Sequence, residues 1–284
     1  MSVWVPPGTD RLLEIGLAED LATAGDLTTD AVVPAHLTLS AALVARRDGI
    51  VAGLAAAARA WRLVDPRVRV DIVEPDGATV ARGATIALVE GPARAILTGE
   101  RLALNLLGHL SGIATATGAL VELVADTGAV VADTRKTTPG LRALEKWAVR
   151  LGGGVNHRFG LHDAVLIKDN HIAAVGGIAP AVAAARAAVG HLVPVEVEVD
   201  TLAQLDEALA AGVDAVLLDN MDLPRLAEAV TRIDGACIAE ASGTITADTI
   251  RAVADTGVDV ISVGWITHSA PALDVGLDVD SSIA

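Results

Sequence analysis

Residues 193–219, VPVEVEVDTLAQLDEALAAGVDAVLLD, decide the fold class of this chain. The stretches 193–198 and 214–219 are short apolar runs, and an Ala- and Leu-rich stretch separates them. Runs of this kind predict strands that are buried on both faces, as in a parallel sheet whose strands are joined by helices. The segment therefore indicates a strand–helix–strand unit of an α/β protein.

The same pattern continues to either side of this unit. Successive apolar runs end about 26 residues apart, and helical segments lie between them. About 155 residues carry the repeat, whereas eight complete strand–helix units occupy roughly 200 or more. We therefore predict an incomplete parallel α/β barrel of six or seven strands, the others lying at 129–133, 164–168, 236–240 and 258–264.

The first 110 or so residues follow a different pattern, that of an α+β domain. Pro92 is expected to open a long helix, because proline suits the first helical position. On that helix Arg101 falls on a polar stripe, and its position alone predicts a solvated side chain. The pattern further predicts helices at 11–22 and 53–64 and strands at 37–46, 67–74 and 85–90.

Composition narrows the class of protein. The 284 residues carry a formal net charge of −15, which argues against non-specific binding to nucleic acid. No signal peptide or membrane-spanning run is evident, so no membrane partner is expected. A single cysteine, Cys237, fits a reducing compartment. These features predict a soluble, cytoplasmic globular protein.

Positive charge is concentrated in one part of this acidic chain. All three lysines, Lys136, Lys146 and Lys168, lie between residues 131 and 171, where cations outnumber acids by three. Such a local excess suggests a site for an anionic ligand. A solvated amphipathic helix is the alternative explanation for part of it, because Arg142, Lys146 and Arg150 share one helix face.

Polar residues close the predicted strands. The carboxyl ends of parallel strands carry the active site in α/β barrels. Glu198 and Asp219 end neighbouring strands and suit a divalent cation or sugar hydroxyls, while Lys168 requires an anionic partner if buried. The six strand ends are Asp133, Lys168, Glu198, Asp219, Glu240 and Gly264.

Two further stretches suggest anion binding. The turn 240–246, EASGTIT, leads from a strand into a helix, and backbone N–H groups in such a turn favour phosphate oxygens. The turn at Gly264 is similar, so the two loops are expected to form a phosphate cup. A small dicarboxylate is the ligand expected for Arg135, His157, Arg158 and Lys168, because arginine binds carboxylates through two parallel hydrogen bonds.

Residues 133–172, DTRKTTPGLRALEKWAVRLGGGVNHRFGLHDAVLIKDNHI, resemble the core of the quinolinate phosphoribosyltransferases. The resemblance extends over nearly the whole chain, through EDLATAGDLTTD, GERLALNLLGHLSGIAT, VEVEVDTLAQLDEAL, VLLDNM, EASGTIT and SVGWITHSAPALDVGLDV. It implies an N-terminal α/β sandwich at residues 1–112, joined by the C-terminal tail 270–284, and an incomplete α/β barrel at 113–269.

The resemblance also implies a reaction. Quinolinate and 5-phosphoribosyl 1-pyrophosphate give nicotinate mononucleotide, pyrophosphate and CO₂, with Mg²⁺, in de novo NAD synthesis. Lys136, Glu198 and Asp219 are the implied catalytic residues, and Glu198 and Asp219 would hold Mg²⁺ directly or through water or substrate. The implied substrate-binding residues are Arg101, Thr134, Arg135, Lys136, His157, Arg158, Lys168, Glu198, Asp219, Ser242, Gly243, Thr244 and Gly264.

Arg101 acquires a second interpretation from the resemblance. It is similar to a family arginine that reaches the neighbouring subunit's site, which implies a homodimer or a hexamer. Two positions depart from the commonest family pattern. Thr244 stands where glycine is frequent, and Trp265 replaces a small residue after Gly264, so that both turns carry a larger side chain than the family pattern.

Three alternatives remain at this point. A paralogous phosphoribosyltransferase-like protein would act on a different acceptor, although the segment from Lys168 to His171 favours quinolinate. An aldolase-type barrel would use Lys168 to form a Schiff base. A non-catalytic module would use the charged strand ends for ligand capture alone.

Overall fold

The computed structural model describes residues 5–279. Within that range the strands are β1 (Thr38–Ala45), β2 (Gly49–Ile50), β3 (Arg69–Ile72), β4 (Thr79–Val80), β5 (Thr85–Pro92), β6 (Val130–Ala132), β7 (Val165–Ile167), β8 (Val195–Val199), β9 (Ala215–Asp219), β10 (Ile238–Ser242), β11 (Val260–Ser262) and β12 (Val275–Val279). The helices are α1 (Thr9–Leu21), α2 (Leu27–Val32), α3 (Leu54–Val64), α4 (Ala93–Val124), α5 (Arg142–Leu151), α6 (Asp169–Val175), α7 (Ile178–Ala188), α8 (Leu202–Ala210), α9 (Leu223–Ile233), α10 (Ile250–Ala254) and α11 (Trp265–His268).

The described residues form two compact units. The first contains residues up to Gly118, the segment Thr137–Gly153 and the residues from Thr267 onward, and the second contains Ala119–Lys136 and Gly154–Ile266. This grouping differs from a barrel continuous over 113–269, because the segment that carries α5 packs with the first unit.

The first unit is built on a four-stranded antiparallel sheet with the order β12-β1-β5-β3. Its buried side packs against helices around Trp61, whose indole N–H donates to the Ile96 carbonyl at 2.9 Å. The C-terminal tail enters this sheet as β12, where Leu277 pairs with Leu43. The remainder of the predicted tail, residues 280–284, lies outside the described residues.

Helix α4 begins directly after Pro92 and supplies buried side chains such as Leu107 to the first core. Its length and hydropathy would suit a membrane span, and so would the sharply bent pair α6 and α7 taken together. Because 56% of the most apolar window of α4 is buried inside the fold, the helix has the character of a core helix.

The second unit is a six-stranded parallel sheet with the order β6-β11-β10-β9-β8-β7. This is the order of strands around a ring that stays open between β6 and β7, and an isolated parallel bridge joins Val155 to Ala132 beside β6. Alternate residues such as Val195, Val197 and Val199 are buried, as a sheet covered by helices requires. The prediction of a sandwich-type α/β domain plus an incomplete parallel barrel is therefore confirmed.

We expect Gly112→Ala to destabilise the first unit, although alanine normally favours a helix by about 1 kcal/mol over glycine. A Cβ at Gly112 would lie 2.2 Å from the Pro271 carbonyl oxygen, and backbone cannot move aside cheaply. The free energy of unfolding should fall by about 1–3 kcal/mol in chemical denaturation. The control is Gly128→Ala, whose Cβ would meet nothing within 4 Å. An equal effect of both substitutions would contradict the packing described here.

Candidate active site

A cavity of about 570 Å³ lies at the carboxyl ends of the parallel strands in the second unit. Eleven of the thirteen predicted binding residues line it: Thr134, Arg135, Lys136, His157, Arg158, Lys168, Glu198, Asp219, Ser242, Gly243 and Thr244. The lining is completed by five residues outside the predicted binding set, of which only Glu240 was expected as a strand end: Leu166, Leu217, Asn220, Glu240 and Ser262. The fold thus brings cations, carboxylates and a Ser-Gly turn together in one place.

Asp133 fixes one wall of this cavity. It follows β6, is fully buried, and accepts hydrogen bonds from Asn156 Nδ2 at 2.6 Å and from the backbone N–H of His157 at 2.9 Å. A buried carboxylate requires such donors, and here they come from the loop that carries His157 and Arg158. The strand end and the loop are thereby held in a fixed relation.

Both ring nitrogens of His157 are engaged by the protein. Nδ1 accepts from the backbone N–H of Arg158 at 2.7 Å, so this nitrogen carries no proton. Nε2 lies 3.1 Å from a carboxylate oxygen of Glu196 and 3.6 Å from one of Glu240. Nε2 is therefore placed to donate toward these carboxylates, while Nδ1 holds the Arg158 backbone.

Two guanidinium groups face the same cavity. The pKa of Arg158 is lowered, first by burial and then by the positive charge of Arg135, while the negative charges of Glu196 and Asp163 oppose the shift. The Nε of Arg158 is buried and has no hydrogen-bond partner in the described part of the chain. An anion with two carboxylates would offset the repulsion between the two arginines and would accept a hydrogen bond from the buried Nε of Arg158. This is the chemistry expected for a dicarboxylate site.

Lys168 and Glu198, at the ends of the neighbouring strands β7 and β8, form an ion pair in the same cavity. Lys168 follows β7 and caps α6, where its backbone N–H donates to Nδ1 of His171 at 2.9 Å. The Lys168 side chain is 43% exposed, so it is accessible to a ligand that would compete with Glu198 for it. The sequence motif Lys-Asp-Asn-His thus has a structural reason in the fixed position of Lys168.

Asp219 and the Ser-Gly turn are linked by Asn220, which sequence reasoning did not select. Asn220 has a left-handed backbone with φ of 54°, donates through Nδ2 to Asp219 at 2.7 Å, and donates its N–H to the Ser242 carbonyl at 2.9 Å. Gly243 has φ of 141°, and a Cβ there would lie 2.7 Å from the Asn220 amide oxygen. Asparagine after a strand-end aspartate is the signal that was available in the sequence.

Glu196 and Glu240 form a buried carboxyl pair beneath the cations. The pKa of Glu240 is raised to about 7, first by burial and then by the negative charge of Glu196. The sequence contained a signal, because residues 196 and 198 share one strand face by the period of two. The ligand atoms of His157, Glu196 and Glu240 lie within 4.8 Å of one another, a spacing that could hold a metal ion. Hydrogen bonding among these side chains and the positive charge of Arg158 also account for this spacing.

Two predicted residues do not line the cavity. Gly264 follows β11, and the indole N–H of the next residue, Trp265, donates to the Ile245 carbonyl of the neighbouring loop. The predicted role of Gly264 in phosphate binding stays a prediction. Arg101 belongs to α4 in the first unit, where its exposed side chain lies 3.9 Å from Glu100. Its predicted role at a neighbouring subunit's site stays a prediction.

Comparisons with known proteins agree over the length of the chain. The family model for the quinolinate phosphoribosyl transferase C-terminal domain matches residues 113–278, and that for the N-terminal domain matches residues 26–111. The probable nicotinate-nucleotide pyrophosphorylase [carboxylating] of Bacillus subtilis is 46% identical over 96% of this chain and 93% of its own length. The nicotinate-nucleotide pyrophosphorylase [carboxylating] of Mycobacterium leprae is 46% identical over 93% and 94%.

A solved structure gives the same result. The nicotinate-nucleotide pyrophosphorylase from Francisella tularensis superposes with a TM-score of 0.93 at 41% identity, covering 99% of both chains. An open parallel barrel with this cavity and these relatives is a phosphoribosyltransferase. The chain belongs to the quinolinate phosphoribosyltransferase family. Its reaction forms nicotinate mononucleotide, pyrophosphate and CO₂ from quinolinate and 5-phosphoribosyl 1-pyrophosphate, in NAD biosynthesis.

The raised pKa of Glu240 predicts a pH-dependent stability. Between about pH 4.5 and 7 the unfolded chain has released this proton while the folded protein keeps it, so this group lowers the free energy of unfolding as pH rises. Glu240→Gln cannot ionise and should gain stability relative to the native chain over this interval, by on the order of 3 kcal/mol at most.

Urea denaturation at about pH 4.5 and pH 8 measures this difference. The control is Glu207→Gln, at an exposed position on α8, which should give the same difference from the native chain at both pH values. A Glu240→Gln difference that does not change with pH would contradict a buried proton at this site.

Proposed function

We propose that the cavity is the quinolinate phosphoribosyltransferase site and that its two ends bind the two substrates. The observation that carries this proposal is the convergence of Arg135, Arg158 and Lys168 with Glu198 and Asp219 in one cavity. The three cations supply the charge that a dicarboxylate requires. The two carboxylates suit hydroxyl groups, as a ribosyl donor requires.

The acceptor end is assigned to Arg135, Arg158 and Lys168. His157 supports this end by holding the backbone of Arg158, and it presents its ring as part of the wall. A bound quinolinate would bring carboxylates to the buried Nε of Arg158 and would draw Lys168 away from Glu198. Because three cationic side chains converge at this end, an acceptor with a single carboxylate would pair with fewer of them and bind more weakly.

The donor end is assigned to the other strand ends. Lys136 is exposed in the loop after β6, where its backbone N–H donates a hydrogen bond to Thr134 Oγ1 at 3.0 Å. We assign its ammonium group to the pyrophosphate. Glu198 and Asp219 are assigned to the ribose hydroxyls. The 5-phosphate of the ribosyl donor is assigned to Ser242, Gly243 and Thr244, which line the cavity. Gly264, which follows β11 and does not line the cavity, is assigned to the same phosphate.

The chemistry follows from this placement. Departure of pyrophosphate leaves positive charge on the anomeric carbon, and Glu198 and Asp219 stabilise it electrostatically. The electron pair of the broken C–O bond leaves with pyrophosphate, opposite Lys136, and the quinolinate nitrogen forms the new bond to carbon. The quaternised ring then accepts the electrons of the carbon–carboxylate bond, CO₂ leaves, and a proton from solvent replaces it. The protein contributes position and charge and needs no nucleophile.

Mg²⁺ is the proposed metal cofactor. Glu198 and Asp219 are oxygen donors at adjacent strand ends, a donor set that suits a hard cation completed by substrate oxygens and water. When bound, Mg²⁺ would neutralise charge on the departing pyrophosphate. Lys168 would have to yield its place beside Glu198 for direct coordination, which favours binding through water or substrate.

A homodimer, or a hexamer built from dimers, is the proposed assembly, with the partner subunit's Arg101 reaching the donor site. Two features of Arg101 support this role. Its side chain is exposed, and its contact with Glu100 is long at 3.9 Å, so the guanidinium is accessible to a partner subunit. The net charge of −15 supports small anionic substrates as the ligands of a local cationic site, with neither nucleic acid nor membrane as partner. The single cysteine supports a cytoplasmic location.

A coupled assay tests the acceptor. The protein, 5-phosphoribosyl 1-pyrophosphate and Mg²⁺ are incubated with quinolinate or with nicotinate, and nicotinate mononucleotide and CO₂ are followed. We expect turnover with quinolinate and CO₂ in equal amount to product. Turnover with nicotinate but not with quinolinate would favour a phosphoribosyltransferase for another acceptor. A covalent adduct of Lys168 on borohydride trapping with a keto substrate would favour an aldolase-type enzyme instead.

Subunit exchange tests the shared site. Lys136→Ala should lower kcat/KM by about 100-fold or more, since one charge opposite the leaving group is lost. Arg101→Ala should be similarly impaired as a homodimer. Mixing the two inactive variants should restore about one quarter of the native activity, because half of the dimers are hybrids with one intact site each. Absence of recovery after demonstrated exchange would contradict donation of Arg101 to the partner.

A further inference from the structure

We propose that Trp265 is a positioning residue for the 242–246 loop, the segment from Ser242 to Thr246 that presents its backbone to the 5-phosphate of the ribosyl donor. The proposal rests on the phosphate assignment made under the proposed function. Its basis is a hydrogen bond from the indole Nε1–H of Trp265 to the Ile245 carbonyl oxygen, at 3.0 Å. Trp265 itself does not line the cavity, so it acts through the loop.

The 242–246 loop is held from two sides. On one side Asn220 donates its backbone N–H to the Ser242 carbonyl and packs against Gly243, where no side chain would fit. On the other side Trp265 holds the carbonyl of Ile245. The two anchors come from the segments after β9 and β11, the strands that flank β10 in the sheet.

Between these anchors the loop is open to ligand. Gly243 and Thr244 are exposed and line the cavity, whereas the side chain of Ile245 is buried. Within the loop the N–H of Ile245 turns back to the Gly243 carbonyl at 3.0 Å. The tip that meets phosphate is therefore short, and its direction depends on where Ile245 is held.

Holding the loop tip in place favours binding, because a mobile tip would have to become ordered when the phosphate binds. A loop that is already in its bound conformation loses less conformational entropy when the ligand arrives, and its N–H groups point to the phosphate oxygens in advance. The indole supplies a rigid donor with only two side-chain torsions, and Trp265 stands at the start of α11, which two residues separate from the end of β11. Loss of this donor should weaken binding of the phosphate end and leave the acceptor end unchanged.

Trp265→Phe tests this proposal, since it removes the N–H and keeps an aromatic ring. We expect the KM for 5-phosphoribosyl 1-pyrophosphate to rise about fivefold to tenfold, the size of one neutral hydrogen bond. The KM for quinolinate and kcat should change less than about twofold, because no group on the reacting atoms is altered.

Trp61→Phe is the matched control. Its indole N–H makes an equivalent bond to the Ile96 carbonyl at 2.9 Å, but in the buried core of the first unit. It should lower Tm and leave the KM for the donor unchanged. An unchanged donor KM in Trp265→Phe, or equal effects of the two variants on both substrates, would overturn the positioning role.

Tryptophan fluorescence gives a second readout that does not depend on activity. Ribose 5-phosphate is titrated into the native protein, Trp265→Phe and Trp61→Phe, with ribose as the probe that lacks phosphate. We expect an emission change with ribose 5-phosphate that persists in Trp61→Phe, disappears in Trp265→Phe and is absent with ribose.

The outcomes separate the two claims. If calorimetry shows no binding of ribose 5-phosphate to the native protein, the phosphate assignment under the proposed function fails, and the positioning role fails with it. If it binds with equal Kd to the native protein and to Trp265→Phe, the phosphate site stands and the positioning role of Trp265 is refuted. Should Trp265→Phe fold poorly, Trp265→Ala takes its place in the same calorimetry, and a Kd for ribose 5-phosphate equal to that of the native protein refutes the positioning role.

Discussion

The site depends on one electrostatic constraint, the half-buried side chain of Arg158 beside the like charge of Arg135. Burial and this neighbour both lower the pKa of Arg158, and the negative charge of Glu196 partly offsets them. Like charges at such a wall are costly without an anion, and the cost is recovered when a dicarboxylate binds. The cavity therefore favours a ligand that carries negative charge.

Buried carboxyl groups keep this arrangement in place. Asp133 holds the loop of His157 and Arg158 against the end of β6, and Glu196 receives the imidazole N–H below. Glu240 completes the layer, with burial and the charge of Glu196 favouring its protonated form. The arginines thus stand on a polar layer inside the barrel, while Glu198 and Asp219 occupy the rim where the ribosyl donor is expected.

The parallel barrel and most of the cavity could be predicted from sequence because apolar runs and strand-end charges recur along the chain. Other features depend on three-dimensional contacts that no local pattern records. Glu240 was visible only as a strand-end charge, and the left-handed backbone of Asn220 and its close approach to Gly243 appear only in the structure. No local pattern shows that the indole N–H of Trp265, next to Gly264, donates to the Ile245 carbonyl. The grouping of 137–153 with the first unit reflects packing that chain order conceals.

The central claim is that the paired guanidiniums form the dicarboxylate end of the cavity. A crystal structure of the protein with quinolinate tests it most directly. The account predicts both ligand carboxylates within hydrogen-bond distance of Arg135, Arg158 or Lys168, with Lys168 released from Glu198. A complex in which quinolinate binds elsewhere, with Lys168 still paired to Glu198, would contradict it.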